Sequence, residues 1–184
     1  MKIVIDGNIG SGKTTQINIL ESKGYKVKRE PIDEWPLDLF YSDMERWGLT
    51  FQLVVIHTLR TDESNTIFER SPLSAKEIFW TSLKKTPLED QVFNWAYEKD
   101  AWYPDVYILL DKDPDICYKH VQTRGQEGDS GVSLDYLKTL HEKYHTMYEG
   151  VTCPKYRVDA SKSREEIHQN ILDIINEYLP KGGV

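Results

Sequence analysis

Gly7-Asn8-Ile9-Gly10-Ser11-Gly12-Lys13-Thr14 fits G-x-x-x-x-G-K-[ST] in full, and Thr15 continues it. Glycines at this spacing let successive backbone N–H groups curl around a phosphate, and the start of a following helix adds the positive end of its dipole. Lys13 has the length to reach β- and γ-phosphates, and the Thr14 hydroxyl is a ligand for Mg²⁺. Ile3-Val4-Ile5 before the loop and an amphipathic stretch after it supply the strand and helix that such a loop needs. Residues 7–15 therefore imply a bound nucleoside triphosphate of the ATP type, with Mg²⁺. Neither an N-K-x-D guanine reader nor a D-x-x-G switch occurs, which excludes a GTPase.

Two further groups stand at the ends of apolar runs. The first is Lys28-Arg29-Glu30-Pro31-Ile32-Asp33-Glu34-Trp35; the second is Ile67-Phe68-Glu69-Arg70-Ser71. In a parallel α/β sheet the C-terminal ends of the strands face the ligand crevice, so both groups should lie near the phosphate loop. Glu30 could take a proton from an acceptor hydroxyl, Pro31 would stiffen the exit from its strand, and Trp35 would wall a pocket. Glu69 and Arg70 could serve Mg²⁺ and the transferred group. Taken singly, Glu30 reads equally as a solvated carboxylate and Glu69-Arg70 as a structural ion pair. Three such features on neighbouring strand tips favour a site.

The elements that must hold these residues follow from the pattern. Apolar β-branched runs predict strands near 2–6, 25–29, 65–69, 105–110 and 154–158. Amphipathic stretches predict helices near 12–23, 44–62, 72–83, 87–101, 113–123, 133–148 and 163–178. Met44, Trp47, Phe51, Val55 and Leu59 recur at three and four residues, the period of one buried helix face. Strands alternating with helices predict an α/β P-loop NTPase architecture, a five-stranded parallel sheet flanked by helices. Residues 123–131 hold three glycines and no apolar residue, which predicts a short lid loop; Pro180 should stop the last helix.

With 184 residues the chain should form a single domain spanning 1–184. Its formal charge of −7 gives no broad attraction for nucleic-acid backbone, so an anionic ligand would be met by a local cationic focus of Lys13, Arg70, Arg124 and a helix N-terminus. Cys117 and Cys153 show no paired spacing and read as free thiols. No apolar run is long enough for a membrane span, and strand and loop begin at once after Met1, so a cytoplasmic protein without a leader is expected. The histidines at 57, 120, 141, 145 and 168 suggest no metal-ligand spacing with a carboxylate partner.

The glycine loop, Glu30-Pro31-x-x-x-Trp35, Phe51-Gln52, Glu69-Arg70-Ser71, and Arg124 followed by Leu134-Asp135-Tyr136-Leu137 stand in the order of the deoxyribonucleoside kinases. The chain resembles the relatives of deoxycytidine kinase, mitochondrial thymidine kinase and the insect multisubstrate enzyme over roughly residues 1–145. The resemblance implies ATP-dependent phosphorylation of a deoxyribonucleoside 5′-hydroxyl, with Mg²⁺ on Thr14 and Glu69. It makes Glu30 the base, Arg70 its support, and Arg124 the lid arginine that closes over the phosphates. It places Gln52 on the pyrimidine edge, Phe79 stacked on the base, Trp35 and Phe51 as walls, and Tyr41 and Asp129 on the sugar 3′-hydroxyl. It also implies a homodimer built through two helices.

Departures from the pattern refine this reading. Leu59 and Ala75 replace the arginine–aspartate pair with which deoxycytidine kinase reads its base, which favours thymidine with deoxycytidine second. His120 and Gln126 stand where the family has further lid arginines. Thymidylate kinase shares Gly12–Gln16 and Arg29–Pro31 but has glycines after Glu-Pro and Asp-Arg at the third strand. It and an idle nucleotide-binding regulator are the alternatives.

Overall fold

Five parallel strands form one sheet in the order β2-β3-β1-β4-β5. They are β1 (Lys2–Gly7), β2 (Val27–Lys28), β3 (Thr66–Glu69), β4 (Val106–Asp111) and β5 (Lys155–Asp159). The computed structural model describes residues 1–126 and 129–179; Glu127 and Gly128 of the expected lid, and Pro180 with the tail, lie outside the described residues. β1 lies between β3 and β4, so the chain turns back across its own first strand. Ile5 pairs in register with Glu69, and Gly7 with Leu110, which brings the phosphate loop and the third strand tip to the same edge of the sheet.

Alternation along the strands divides the core. Ile3, Ile5, Ile67, Val106 and Ile108 pack under α1 (Lys13–Ser22) and α8 (Arg164–Tyr178). Val4, Phe68, Tyr107 and Leu109 pack under α6 (Pro114–Arg124) and α7 (Leu134–Gly150). A third cluster, with Phe51, Val55, Ala75, Trp80 and Phe93, joins α2 (Leu37–Ser42), α3 (Met44–Leu59) and α5 (Pro87–Asp100). α2 is too short to show periodicity in sequence, as are the 3-10 turns at Ile32–Glu34 and Asp129–Gly131.

The expected helix over 72–83 is broken in three. It opens as α4 (Pro72–Ser74), widens into a π-helical stretch at Ala75–Phe79 and tightens into a 3-10 turn at Trp80–Ser82. Hydroxyls explain the change of pitch: Ser74 donates to the Ser71 carbonyl, Thr81 to Glu77 and Ile78, and Ser82 to Ile78, each competing with the regular ladder. The widened turn carries Ala75 and Phe79 into the cavity wall described below. Of the six described helices with ten or more residues, five begin with a side-chain cap: Asp43, Thr86, Asp113, Ser133 and Ser163. α1 begins at Gly12 with none.

Phe93 is fully buried and stacks on Trp80 with ring centroids 4.3 Å apart. Phe93→Ala should cost about 3–5 kcal/mol, measured as a shift in urea midpoint at constant slope. A loss below about 1 kcal/mol would mean that this third cluster does not carry the packing assigned to it.

Candidate functional site

The uncapped start of α1 opens on a loop whose backbone conformation only glycine adopts without strain. Gly10 and Gly12 have φ of 82° and 101°. A Cβ on Gly7 would lie 2.6 Å from the Leu110 carbonyl oxygen, so the loop can lie against β4 only without a side chain there. The first-turn N–H groups of α1 receive no side-chain acceptor, which leaves them for an anion. Lys13 folds back over this cradle, its Nζ donating to the carbonyls of Gly7 (3.0 Å) and Asn8 (2.9 Å). Burial, with the neighbouring Arg70 charge, lowers its pKa to about 8. Asn8 turns its side chain away to donate to the Leu137 carbonyl on α7, while Ser11 is buried. Of the loop, Ile9, Gly10, Lys13 and Thr14 line the adjoining cavity; Thr15 does not.

The strand tips meet beside the loop. Thr14 Oγ1 donates to Glu69 Oε1 at 2.6 Å, so the two expected metal-binding residues are in contact. Arg70 Nε lies 2.7 Å from Glu30 Oε1, and both side chains are more than nine-tenths buried. Burial raises the Glu30 carboxyl above its ordinary range against the opposing pull of Arg70, and the Glu69 charge pushes it further up.

On its other side Arg70 reaches Asp6 (3.5 Å) and the Tyr144 hydroxyl, which itself donates to Asp6 Oδ1 at 2.9 Å. The guanidinium lies over the Phe79 ring, 4.8 Å from its centroid. Arg70 holds a left-handed backbone conformation, φ 66°, unusual for a side chain of this size. Such conformations persist where the surroundings over-determine them, as these four partners do. Asp6 and Tyr144 were not expected from sequence. Asp6 could have been noticed as a carboxylate closing an otherwise apolar strand, whereas nothing local marks Tyr144.

From this floor a cavity, open to solvent at its mouth, extends between α2, α3 and the π-helical stretch. Its lining includes Glu30, Trp35, Tyr41, Phe51, Gln52, Leu59, Glu69, Arg70, Ala75, Phe79, Arg124 and Asp129, so every residue expected to touch the acceptor is brought together. Phe51 stacks on Phe40 at 4.2 Å and meets Trp35 edge-on, giving an aromatic wall. Gln52 is 1% exposed and its Oε1 has no hydrogen-bond partner. A buried acceptor of this kind is costly unless a ligand supplies a donor. Tyr136, which sequence reasoning left without a role, lines the same cavity with its hydroxyl also unpartnered. Tyr41 packs against Gly131, where a Cβ would lie 2.3 Å from the tyrosine Cβ, and burial raises its pKa to about 12.

Near the mouth, Arg124 and Asp129 form a two-pronged pair, Nε to Oδ2 and Nη2 to Oδ1, both at 2.8 Å. The resemblance gives them separate partners; here each holds the other. His120, at a position where the family has an arginine, sets Nδ1 3.0 Å from the Gly10 carbonyl of the loop. Gln126 lines the cavity and its backbone N–H donates to Asp129.

The deoxynucleoside kinase family model matches residues 3–180. A fowlpox virus (strain NVSL) protein named a probable deoxycytidine kinase is 34% identical, over 96% of this chain and 88% of its own. The thymidine kinase of ictalurid herpesvirus 1 (strain Auburn) is 30% identical, over 96% and 86%. The structure of deoxyadenosine kinase from M. mycoides with bound dCTP shares the fold, with a TM-score of 0.82, 22% identity, and coverage of 96% of this chain and 100% of that one.

Two measurements probe the buried charges. Tyr144→Phe removes the hydroxyl between Asp6 and Arg70 and should cost about 1–3 kcal/mol in chemical denaturation; an unchanged midpoint would remove Tyr144 from the network. Lys13 titrates near 8 when folded and near 10.5 when unfolded. Between these values the unfolded chain binds more protons, so this residue's contribution to stability rises with pH. From pH 7.5 to 9.5 the parent should gain about 1–2 kcal/mol relative to Lys13→Met; parallel pH profiles would contradict the lowered value.

Proposed function

The chain belongs to the deoxynucleoside kinase family, and on that premise we propose that it transfers the γ-phosphoryl group of ATP to the 5′-hydroxyl of a deoxyribonucleoside, thymidine first and deoxycytidine second. The observation that carries this reading is the Glu30–Arg70 pair, buried at the inner end of an aromatic-walled cavity beside an uncapped helix start. Acceptor and donor chemistry thus have adjoining compartments. An acceptor that already bore a phosphate would set its negative charge against Glu30, Glu69 and Asp6.

In the proposed reaction the loop N–H groups and Lys13 hold the donor phosphates, Lys13 exchanging two carbonyl oxygens for phosphate oxygens. Thr14 and Glu69 would hold Mg²⁺; their hydroxyl and carboxylate oxygens are the hard donors this ion takes. When bound, the ion spreads the charge that develops on the β- and γ-phosphates. Glu30 accepts the proton of the 5′-hydroxyl as that oxygen attacks phosphorus. Arg70 is held from behind by Asp6 and Tyr144, which fixes its guanidinium beside Glu30 in the cavity lining. Phosphoryl transfer needs little covalent help from protein, so fixed positions and charge account for most of the acceleration.

Base selection rests on Gln52 and its neighbours. Its unpartnered Oε1 fits a pyrimidine ring N–H, and its amide N–H fits the adjacent carbonyl, a pair that thymine offers. Leu59 and Ala75 leave an apolar wall where a methyl group is accommodated and an exocyclic amine finds no charged partner. The same reading carries the ATP donor as an expectation from the phosphate loop and a homodimer as an expectation from the family resemblance.

Glu30→Ala should retain nucleotide binding within a few fold and lose about 10²–10⁴ in turnover. Coupled ADP release would be measured with thymidine, deoxycytidine, deoxyguanosine and thymidine monophosphate. Near-parental turnover by the variant would remove Glu30 as base, turnover with the monophosphate alone would replace the acceptor class, and silence with every acceptor would indicate an idle binder.

A further inference from the structure

At the far end of β4, outside the cavity, three side chains converge whose meeting the sequence reading did not anticipate. His141 and His145 stand one turn apart on α7 and so share a face. Both face Asp111, the last residue of β4: His145 Nε2 lies 3.0 Å from Asp111 Oδ1, and His141 Nδ1 lies 4.0 Å from the same oxygen. The expectation that these histidines lack a carboxylate partner is therefore overturned. The partner stands 30 residues before His141, and only the sheet brings it to the two imidazoles.

We propose that Asp111, His141 and His145 form a binding site for a borderline transition-metal dication of the Zn²⁺ class. The potential ligand atoms all lie within 4.8 Å of one another. With metal–ligand bonds of about 2.0–2.2 Å, a tetrahedral site sets its ligand atoms about 3.3–3.6 Å apart. Displacements of about 1 Å in three part-exposed side chains reach that geometry, and their exposure leaves room for water as a fourth ligand. A simple hydrogen bond accounts for His145 beside Asp111. It does not account for a second imidazole turned to the same oxygen, with ring centroids only 4.3 Å apart.

The surroundings support ligation. Arg157 lies 4.0 Å from Asp111 Oδ2, and its other prong lies 3.8 Å from Glu149, so it occupies the oxygen the site does not use. Two imidazoles and one carboxylate select against Mg²⁺ and Ca²⁺, which take oxygen sets. An ion here would tie α7 to β4 at His145, the residue after Tyr144, and so brace the helix that backs Arg70. The site does not depend on the phosphoryl-transfer reading.

The test uses the untagged full chain, stripped with chelator and titrated with Co²⁺ while visible absorbance is followed, then with Zn²⁺ by calorimetry. One equivalent should bind, displaced by Zn²⁺ and unaffected by millimolar Mg²⁺, and Zn²⁺ should raise the Tm. His141→Gln and His145→Gln should each lower affinity by more than the about 10–100-fold typical of losing an outer-shell partner, and abolish the Tm rise. His57→Gln should bind as the parent does. Absence of saturable binding, displacement by Mg²⁺, or variants that bind like the parent would each overturn the site. Metal-free melting of each variant confirms folding, and Asp111→Asn reports the same loss from the strand side.

Discussion

The structure turns on one buried guanidinium. Arg70 holds Glu30 with one edge and reaches Asp6 and Tyr144 with another, from a left-handed backbone conformation at the tip of β3. A charge so buried is tolerable only when paired and hydrogen-bonded, and here the pairing draws on five parts of the chain. β1 gives Asp6, β2 leads to Glu30, β3 gives Arg70, α7 gives Tyr144, and Phe79 on the π-helical stretch supports the guanidinium from below. Removing Arg70 would leave Glu30 and Asp6 as buried carboxylates without a cation beside them. The arrangement is therefore more than a collection of pairwise contacts, and it fixes where Glu30 can be.

A complementary constraint is left open. Among the described helices of ten or more residues, five have first N–H groups capped by side chains and α1 has none. The omission coincides with three glycines at positive φ and with a lysine whose ammonium is satisfied by two backbone carbonyls. Lys13 has a lowered pKa because burial strips its ammonium of water beside the Arg70 charge, and polyphosphate oxygens would offset that loss. The fold thus holds unfavourable terms that a ligand removes: an uncapped dipole, a desolvated ammonium and the orphan Gln52 acceptor.

Much of this was legible because it is local. The loop, the two strand-tip groups and the helix periods each fit within about ten residues, and the parallel-sheet rule then places the tips together. The fold class followed from these, while most of the cavity lining, Gln52, Phe79, Tyr41 and Asp129 among it, came from the family resemblance rather than from local pattern. What was not legible depends on long separations or on pitch. Tyr144 is 138 residues from Asp6, and Asp111 meets His141 and His145 only because α7 packs against β4. The π-helical stretch arises from hydroxyls competing for carbonyls, which periodicity treats as continuous helix. β2 shrinks to two residues because only Val27 and Lys28 find partners on β3.

The net charge of −7 reads differently once the pairings are known. Lys13, Arg70 and Arg124 are gathered at one place, as the charge argument required, but four carboxylates accompany them: Asp6, Glu30, Glu69 and Asp129. The cluster is not a cationic focus in sum. Under the proposed function, attraction for a polyphosphate would come from directed donors: N–H groups of the loop and of the uncapped start of α1, a lysine that can leave its carbonyls, and an arginine that can leave Asp129. Each of these two cations must give up a partner within the protein to take a phosphate oxygen. Discrimination then lies in geometry rather than in field strength, because only a ligand that satisfies both the cradle and the cavity repays every exchanged partner.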